Sequence, residues 1–188
     1  MTVFEMFVTT EYLKLLFNTT PMFVYGVLFG AFLLSTLCAI GVKGLKSGLK
    51  TSSVILLVIY ATIVICTTVM FRSGGYEREI IIIPFWSYRA YMEGHPRILV
   101  ENIMNVLAFI PIGILLAIAV NRPKWWKAAI VGCIFSVVIE FMQYYFDRGQ
   151  CEIDDVIHNT LGCLIGYWIF SLFYKGYEKI SKRRLAVM

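Results

Sequence analysis

Long apolar runs constrain this chain more than any other feature of its sequence. Five of them have the roughly 20 residues that an α-helix needs to cross the hydrocarbon core of a bilayer. They cover residues 21–42, 52–71, 102–120, 128–146 and 156–174. The chain is 59% hydrophobic, against about 45–50% in soluble domains. We therefore predict an all-α, polytopic membrane protein, with a single membrane domain over residues 1–188 and a bundle of about five transmembrane helices.

The lysines and arginines predict which side of the membrane each loop faces. They concentrate in residues 43–51, in residues 121–127 and after Tyr174, and these segments alternate along the chain. The residues concerned are Lys43, Lys46, Lys50, Arg122, Lys124, Lys127, Lys175, Lys179, Lys182, Arg183 and Arg184. Because basic loops remain in the cytoplasm, we expect the N-terminus outside and the C-terminus in the cytoplasm. The basic residues form no continuous basic face, so nucleic acid is not an expected partner.

Two further apolar segments are too short or too polar to span. Residues 80–92 begin with Ile80-Ile81-Ile82-Ile83, and Pro84 then interrupts any helix. We predict a re-entrant or interfacial segment here; an edge strand or an interfacial turn is the alternative. Residues 1–18 read as an amphipathic segment lying on the membrane surface.

A polar stretch between residues 140 and 159 is the candidate functional region. Glu140, Gln143 and Asp147 share one face of a helix, and polar residues also begin the third and the last predicted helices. In the last helix, Gly162-x-x-x-Gly166 is a pair of small residues that lets another helix approach closely. The predicted topology brings these groups to the outer ends of their helices, where we expect one outward-facing pocket. The candidate catalytic residues are Glu140, Arg148 and Asp155, and the candidate ligand-binding residues are Asn102, Asn105, Gln143, Asp147, Glu152, Asp154, His158 and Asn159.

Each of these residues also has a purely structural interpretation. The amides could hydrogen-bond between helices, with under about 2 kcal/mol per pair. Asp154 or Asp155 could cap the last helix, and Arg148 could pair with a neighbouring carboxylate. For the whole set this interpretation is weaker, because four carboxylates within nine positions, together with the embedded Glu140, exceed what helix packing needs.

No cofactor or resident metal is predicted. The five cysteines include no CxxC pair, and His158 has no partner at zinc-binding spacing. Mg²⁺ or Ca²⁺ could bind to carboxylates such as Glu140, Asp147 or Asp155, but no spacing in the sequence indicates such a site.

The polar pattern resembles the VanZ-like family over residues 72–174. The matching elements are Asn102-x-x-Asn105, Phe109-x-Pro111-x-Gly113, Glu140-x-x-Gln143, Arg148, Glu152-x-Asp154-Asp155, Asn159, Gly162 and Gly166. Pro84-Phe85 matches the end of the family's Asn-Leu-x-Pro-Phe element, although Ile81 replaces its Asn. The resemblance implies a small bacterial plasma-membrane protein of the cell envelope, in a family some of whose members confer low-level resistance to teicoplanin and related lipoglycopeptides.

Two functional hypotheses follow, and the sequence leaves open whether the protein is an enzyme. In the first, the pocket binds or acts on a membrane lipid or a lipid-linked cell-wall precursor, with Arg148 contacting phosphate or carboxylate and Glu140 as acid or base. In the second, a non-enzymatic protein binds lipid, the antibiotic or another membrane protein and so reduces antibiotic access to the surface. A transporter is disfavoured because the five spans show no inverted repeat.

Overall fold

The computed structural model describes residues 45–72, 79–121 and 123–186, with side chains described from residue 47 to residue 177 within these ranges. Helix α1 (Leu45–Ile65) continues into a π-helical turn (Cys66–Met70). Strand β1 (Ile80–Ile81) and the short helix α2 (Trp86–Met92) precede α3 (Pro96–Ala119) and α4 (Trp125–Tyr145). Strand β2 (Cys151–Glu152) leads directly into α5 (Ile153–Ala186).

Four helices in the described part of the chain are long and apolar enough to cross a membrane. Their spanning segments are Ser47–Met70, Pro96–Ala119, Trp125–Tyr145 and Ile153–Tyr177. The prediction of a polytopic helical membrane protein is confirmed. The spanning segments begin three to six residues before the predicted runs, because their first turns contain charged or polar residues that lower the local hydropathy. The predicted span 21–42 and the surface segment 1–18 lie outside the described residues.

Helices α3 and α5 pack backbone to backbone through glycines. A Cβ atom added at Gly162 would lie 2.2 Å from the Val106 carbonyl oxygen, and one at Gly166 would lie 2.0 Å from that of Ile110. Gly113 makes the reciprocal contact, with 2.0 Å from an added Cβ to the carbonyl oxygen of Cys163. The predicted close approach at Gly162-x-x-x-Gly166 is therefore confirmed, and it aligns the polar first turns of α3 and α5 side by side.

The core of the bundle is small and lies at the crossing of these helices. Val64, Phe109, Ile139 and Cys163 are among its buried members. Large apolar side chains elsewhere, including Val58, Ile134 and Leu172, are exposed on the outer helix faces. Such surfaces are stable in hydrocarbon, since lipid tails solvate them as well as a protein core does.

The segment between α1 and α3 does not span. Ile80 and Ile81 pair in parallel with Cys151 and Glu152, and the seven residues of α2 are too few to cross a bilayer. Phe85 precedes α2 with a left-handed backbone conformation, φ 64°. A two-residue strand and a short helix therefore form this segment, and its position at the membrane interface stays a prediction.

Candidate functional site

The buried carboxylate of Glu140 is the centre of the polar end of the bundle. Its side chain is 2% exposed, although it lies on a membrane-spanning helix, where an acid is costly. Its Oε2 accepts a hydrogen bond from the backbone N–H of Glu152 at 3.0 Å. The β1–β2 pairing places that N–H at the last residue before α5. The backbone thus supplies one partner for the acid.

Three more carboxylates lie within electrostatic range of one another around this point. Asp155 in the first turn of α5 interacts with Glu140, and Glu152 and Glu101 both interact with Asp155. The side-chain amide of Asn105 hydrogen-bonds to Asp155. We call Glu101, Glu140, Glu152 and Asp155 the acid cluster. Three helices and β2 contribute to it.

Arg72 supplies positive charge to the acid cluster. It interacts electrostatically with Glu140, Glu152 and Asp155. Its guanidinium lies over Gly149, where an added Cβ would be 3.2 Å from Nη1. Sequence reasoning missed Arg72 because it is the first residue after an apolar run. The available signal was its position, since it is a basic residue at an end of the bundle where the positive-inside pattern does not expect one.

The acid cluster changes the protonation of the two residues of β2, which lie outside the spanning helices. Burial raises the pKa of Glu152 to about 8, and the negative charges of Asp155 and Glu101 add to this rise while Arg72 opposes it. Burial, assisted by the neighbouring carboxylates, also raises the pKa of the Cys151 thiol. Glu152 is therefore largely neutral at pH 7, which lowers the negative charge that Arg72 has to balance.

Asp154 has a different role from its neighbour Asp155. It is fully buried and accepts hydrogen bonds from the backbone N–H groups of Phe85 and Ser87 and from the Ser87 hydroxyl. The Asn102 amide donates to the same hydroxyl at 2.9 Å. Asp154 thus accepts hydrogen bonds from N–H groups at the N-terminus of α2, which have no partner within that helix. These bonds attach α2 to α5, and the Ser87 hydroxyl attaches it to α3. Ser87 was not predicted, because a serine in a short helix has no sequence pattern that reveals its partners.

His158 and Asn159 also have protein partners. Nε2 of His158 shares a hydrogen bond of 2.8 Å with the Tyr88 hydroxyl, which makes a second link between α2 and α5. The Asn159 amide donates to the Ser136 hydroxyl at 2.8 Å and joins α5 to α4. These contacts correspond to the structural interpretation of the two residues. Nδ1 of His158 and Oδ1 of Asn159 are buried without a hydrogen bond among the described residues.

Gln143 and Arg148 hold the end of α1. The Gln143 amide donates to the Thr68 carbonyl at 3.2 Å, and Nη1 of Arg148 donates to the Arg72 carbonyl at 2.6 Å. Thr68 lies within the π-helical turn and Arg72 lies two residues past its end, where the last carbonyls of a helix lack helical partners. Asp147, with φ 55°, makes the sharp turn that brings Arg148 there. The arginine predicted to meet a ligand thus positions the backbone of Arg72.

Comparison with known proteins identifies the family. The VanZ/LLP1 family model matches residues 54–174, which is most of the chain and includes all the site residues described above. The chain belongs to the VanZ/LLP1 family. Protein VanZ of Enterococcus faecium is 33% identical over 75 residues, which are 40% of this chain and 47% of that protein. The chain therefore spans about half the length of this relative. No solved structure matches it.

Within the VanZ/LLP1 region, the described residues contain no group of three or more His, Cys, Asp or Glu side chains placed to hold a metal ion. The four carboxylates of the acid cluster approach one another without forming a coordination shell. Arg72 neutralises part of their charge in the way a cation would.

An open cleft of about 420 Å³ lies beside α2 and borders the acid cluster. Trp86, Arg89, Ala90, Glu93, His95 and Ile98 line it. The indole N–H of Trp86 lies near the Glu152 carboxylate without forming a hydrogen bond of normal geometry. Trp86 is thus common to both features. The sequence predicted a single pocket; the structure has the acid cluster and a separate cleft beside it.

Proposed function

We propose that this protein acts at the bacterial cell envelope in resistance to teicoplanin and related lipoglycopeptides. Its acid cluster would bind or act on a membrane lipid or a lipid-linked cell-wall precursor. The observation that carries this proposal is the convergence of Arg72 with four carboxylates from α3, α4, β2 and α5. Charges in a membrane helix are expensive and usually functional, and helix packing does not need four carboxylates at one place.

The charges within the cluster indicate how a ligand would be oriented. Arg72 offers planar donors that match a phosphate or carboxylate, while the surrounding acids disfavour a second anion. Hydroxyl or amine groups are the parts of a ligand that the acids would accept. A lipid-linked wall precursor or a lipid with an amine headgroup carries both kinds of group. In this scheme Glu140 is the candidate acid or base, and Asp155 with Asn105 orients the ligand.

A second candidate function is a non-enzymatic binding or partner protein that reduces antibiotic access to the surface. It is favoured by the hydrogen bonds of Asp154, His158, Gln143 and Arg148, which all go to protein groups. It is also favoured by the position of the 420 Å³ cleft, which lies beside the acid cluster and not within it.

Teicoplanin susceptibility in a sensitive host separates these functions. We expect Arg72→Gln and Asp155→Asn to abolish protection at equal expression, with Arg97→Gln, on an exposed residue of α3, as the control that retains it.

Glu140→Gln can still accept the Glu152 N–H, so a binder would keep most of its protection. A general acid or base normally contributes about 10²- to 10⁴-fold in rate, so loss of protection by Glu140→Gln indicates an enzyme.

Mass spectrometry of lipids and wall precursors, with and without the protein, supplies the independent measurement. An enzyme alters the precursor pool, and Glu140→Gln restores it; a binder leaves the pool unchanged. If Arg72→Gln, Asp155→Asn and Glu140→Gln all protect as well as the wild type, the acid cluster has no part in resistance and the proposal is wrong.

A further inference from the structure

The cleft beside α2 has the size and position of a ligand site. Its volume of about 420 Å³ falls within the roughly 300–1,000 Å³ typical of small-molecule sites. It is formed by α2, by the turn at Glu93 to His95, and by the first turn of α3 at Ile98. The spanning segment of α3 begins at Pro96. The cleft therefore lies at the level where a bilayer has its headgroups.

Two donors border this cleft. The indole N–H of Trp86 is buried beside the Glu152 carboxylate and forms no hydrogen bond of normal geometry among the described residues. Arg89 uses its Nε to pair with Oε1 of Glu93 at 3.0 Å, with its side chain 80% exposed. A guanidinium has five N–H donors in a planar fork, so this pairing orients Arg89 and leaves its terminal nitrogens able to bind an anion.

The surroundings of the cleft favour an amphiphile over a free anion. Tyr88, Tyr91 and Met92 of α2 are exposed, and Met92 is 77% exposed. Exposed aromatic and apolar side chains on a short helix at this level suit the boundary between headgroups and acyl chains. Glu93 also repels a small anion that lacks chains to anchor it.

From these observations we propose that the cleft binds the phosphate of a phospholipid headgroup, held by Arg89 and the Trp86 indole, with the acyl chains lying along α2. This goes beyond the proposed function because it assigns a ligand to a different surface. Because Trp86 also borders Glu152, a lipid held there is placed next to the acid cluster.

Native mass spectrometry of the purified, delipidated protein titrated with phosphatidylglycerol tests this inference. We expect Arg89→Gln and Trp86→Phe each to weaken retention of the lipid about tenfold, the effect of losing one charge-assisted hydrogen bond. Arg97→Gln is the matched control, because it removes one exposed positive charge from α3 without touching the cleft. It should leave retention unchanged.

Three outcomes would overturn the inference. They are unchanged binding in both cleft variants, equal weakening in Arg97→Gln, and full competition by sn-glycerol 3-phosphate, which would indicate a free-phosphate site. Arg89 is on the surface, so its variant remains informative if Trp86→Phe does not fold. Lipid retention is measured without antibiotic, so it is independent of the resistance assay. If Arg89→Gln loses retention while the acid-cluster variants still protect fully against teicoplanin, the proposed function is refuted and this inference stands.

Discussion

At the scale of single residues, the polar end of this protein assigns different tasks to adjacent side chains. Asp154 and Asp155 are neighbours, yet Asp154 holds the N-terminus of α2 while Asp155 faces Arg72 and the other carboxylates. Arg72 and Arg148 divide in the same way, since Arg148 donates to the carbonyl of Arg72. The charges that face one another in the acid cluster are held in place by a second set of charges that bind backbone groups.

Glu152 gives this arrangement a pH dependence that can be measured. Its pKa is about 8 in the folded protein and near 4.5 when unfolded. Between pH 4.5 and pH 8 the folded state therefore holds a proton on Glu152 that the unfolded state has lost. The contribution of this proton to the free energy of unfolding is full below about pH 4.5 and is lost as the pH rises to 8. We expect Glu152→Gln to remove this pH-dependent part of the stability. Arg72→Gln removes the positive charge that lowers the pKa of Glu152, so we expect it to extend the pH dependence to higher pH.

Thermal unfolding in detergent from pH 5 to 9 measures this effect. The difference in Tm between wild type and Glu152→Gln should change across the window. The control, Glu93→Gln, makes the same chemical change on an exposed side chain and should follow the wild-type curve. A wild-type curve parallel to that of Glu152→Gln would show that Glu152 ionises normally.

At the scale of elements, the contact between α3 and α5 sets the geometry of the site. Its backbones touch at Gly113, Gly162 and Gly166, so that Asn105 and Asp155 are brought within reach of each other. Any side chain at these glycines must separate the two helices, because the nearest atoms are carbonyl groups that cannot rotate away.

Gly166→Ala should therefore destabilise the protein, by about 1–3 kcal/mol, the usual cost of overpacking. Gly176→Ala is the matched control on the same helix, since an added Cβ there meets nothing within 4 Å. Because alanine favours a helix over glycine by about 1 kcal/mol, we expect the control to be neutral or slightly stabilising. Unfolding in mixed micelles with increasing SDS measures both variants; equal stabilities would mean that α3 and α5 pack less closely than described.

The sequence predicted the described spans and the glycine contact because both depend on residue type and spacing alone. It also predicted that Glu140, Glu152 and Asp155 belong together, since helix direction brings their ends to one side. It did not predict the parts played by Arg72, Ser87 and Arg148. Their partners are determined by a π-helical turn, a left-handed Asp147 and a two-residue strand pairing, and none of these has a sequence pattern strong enough to identify it.

At the scale of the whole molecule, the acid cluster and α2 lie at one end of the described bundle. The end of α1, the starts of α3 and α5 and the end of α4 meet there, whereas Lys124 and Trp125 mark the opposite end. The distribution of basic residues predicts that the acid cluster faces outward. This orientation matters for the proposed function, because wall precursors and lipoglycopeptides meet at the outer surface.

Cysteine labelling in intact cells tests this orientation. In a background without native cysteines, Glu93→Cys should react with a membrane-impermeant maleimide, while Lys124→Cys should react only after the cells are permeabilised. Both side chains are exposed in the structure, so a difference in labelling reports the side of the membrane. The opposite pattern would place the acid cluster in the cytoplasm and exclude direct contact with an external antibiotic.

The short pairing of β1 with β2 has a consequence for how the protein is made. The two strands are separated by α2, α3 and α4, and Glu140 precedes its backbone partner at Glu152 by 12 residues. At about 5–20 residues per second of synthesis, Glu140 is synthesised on the order of a second before that partner, and β1 several seconds before β2. The site is consequently completed only by the last helix, so a chain interrupted after α4 would contain most of the membrane-spanning structure and none of the assembled chemistry.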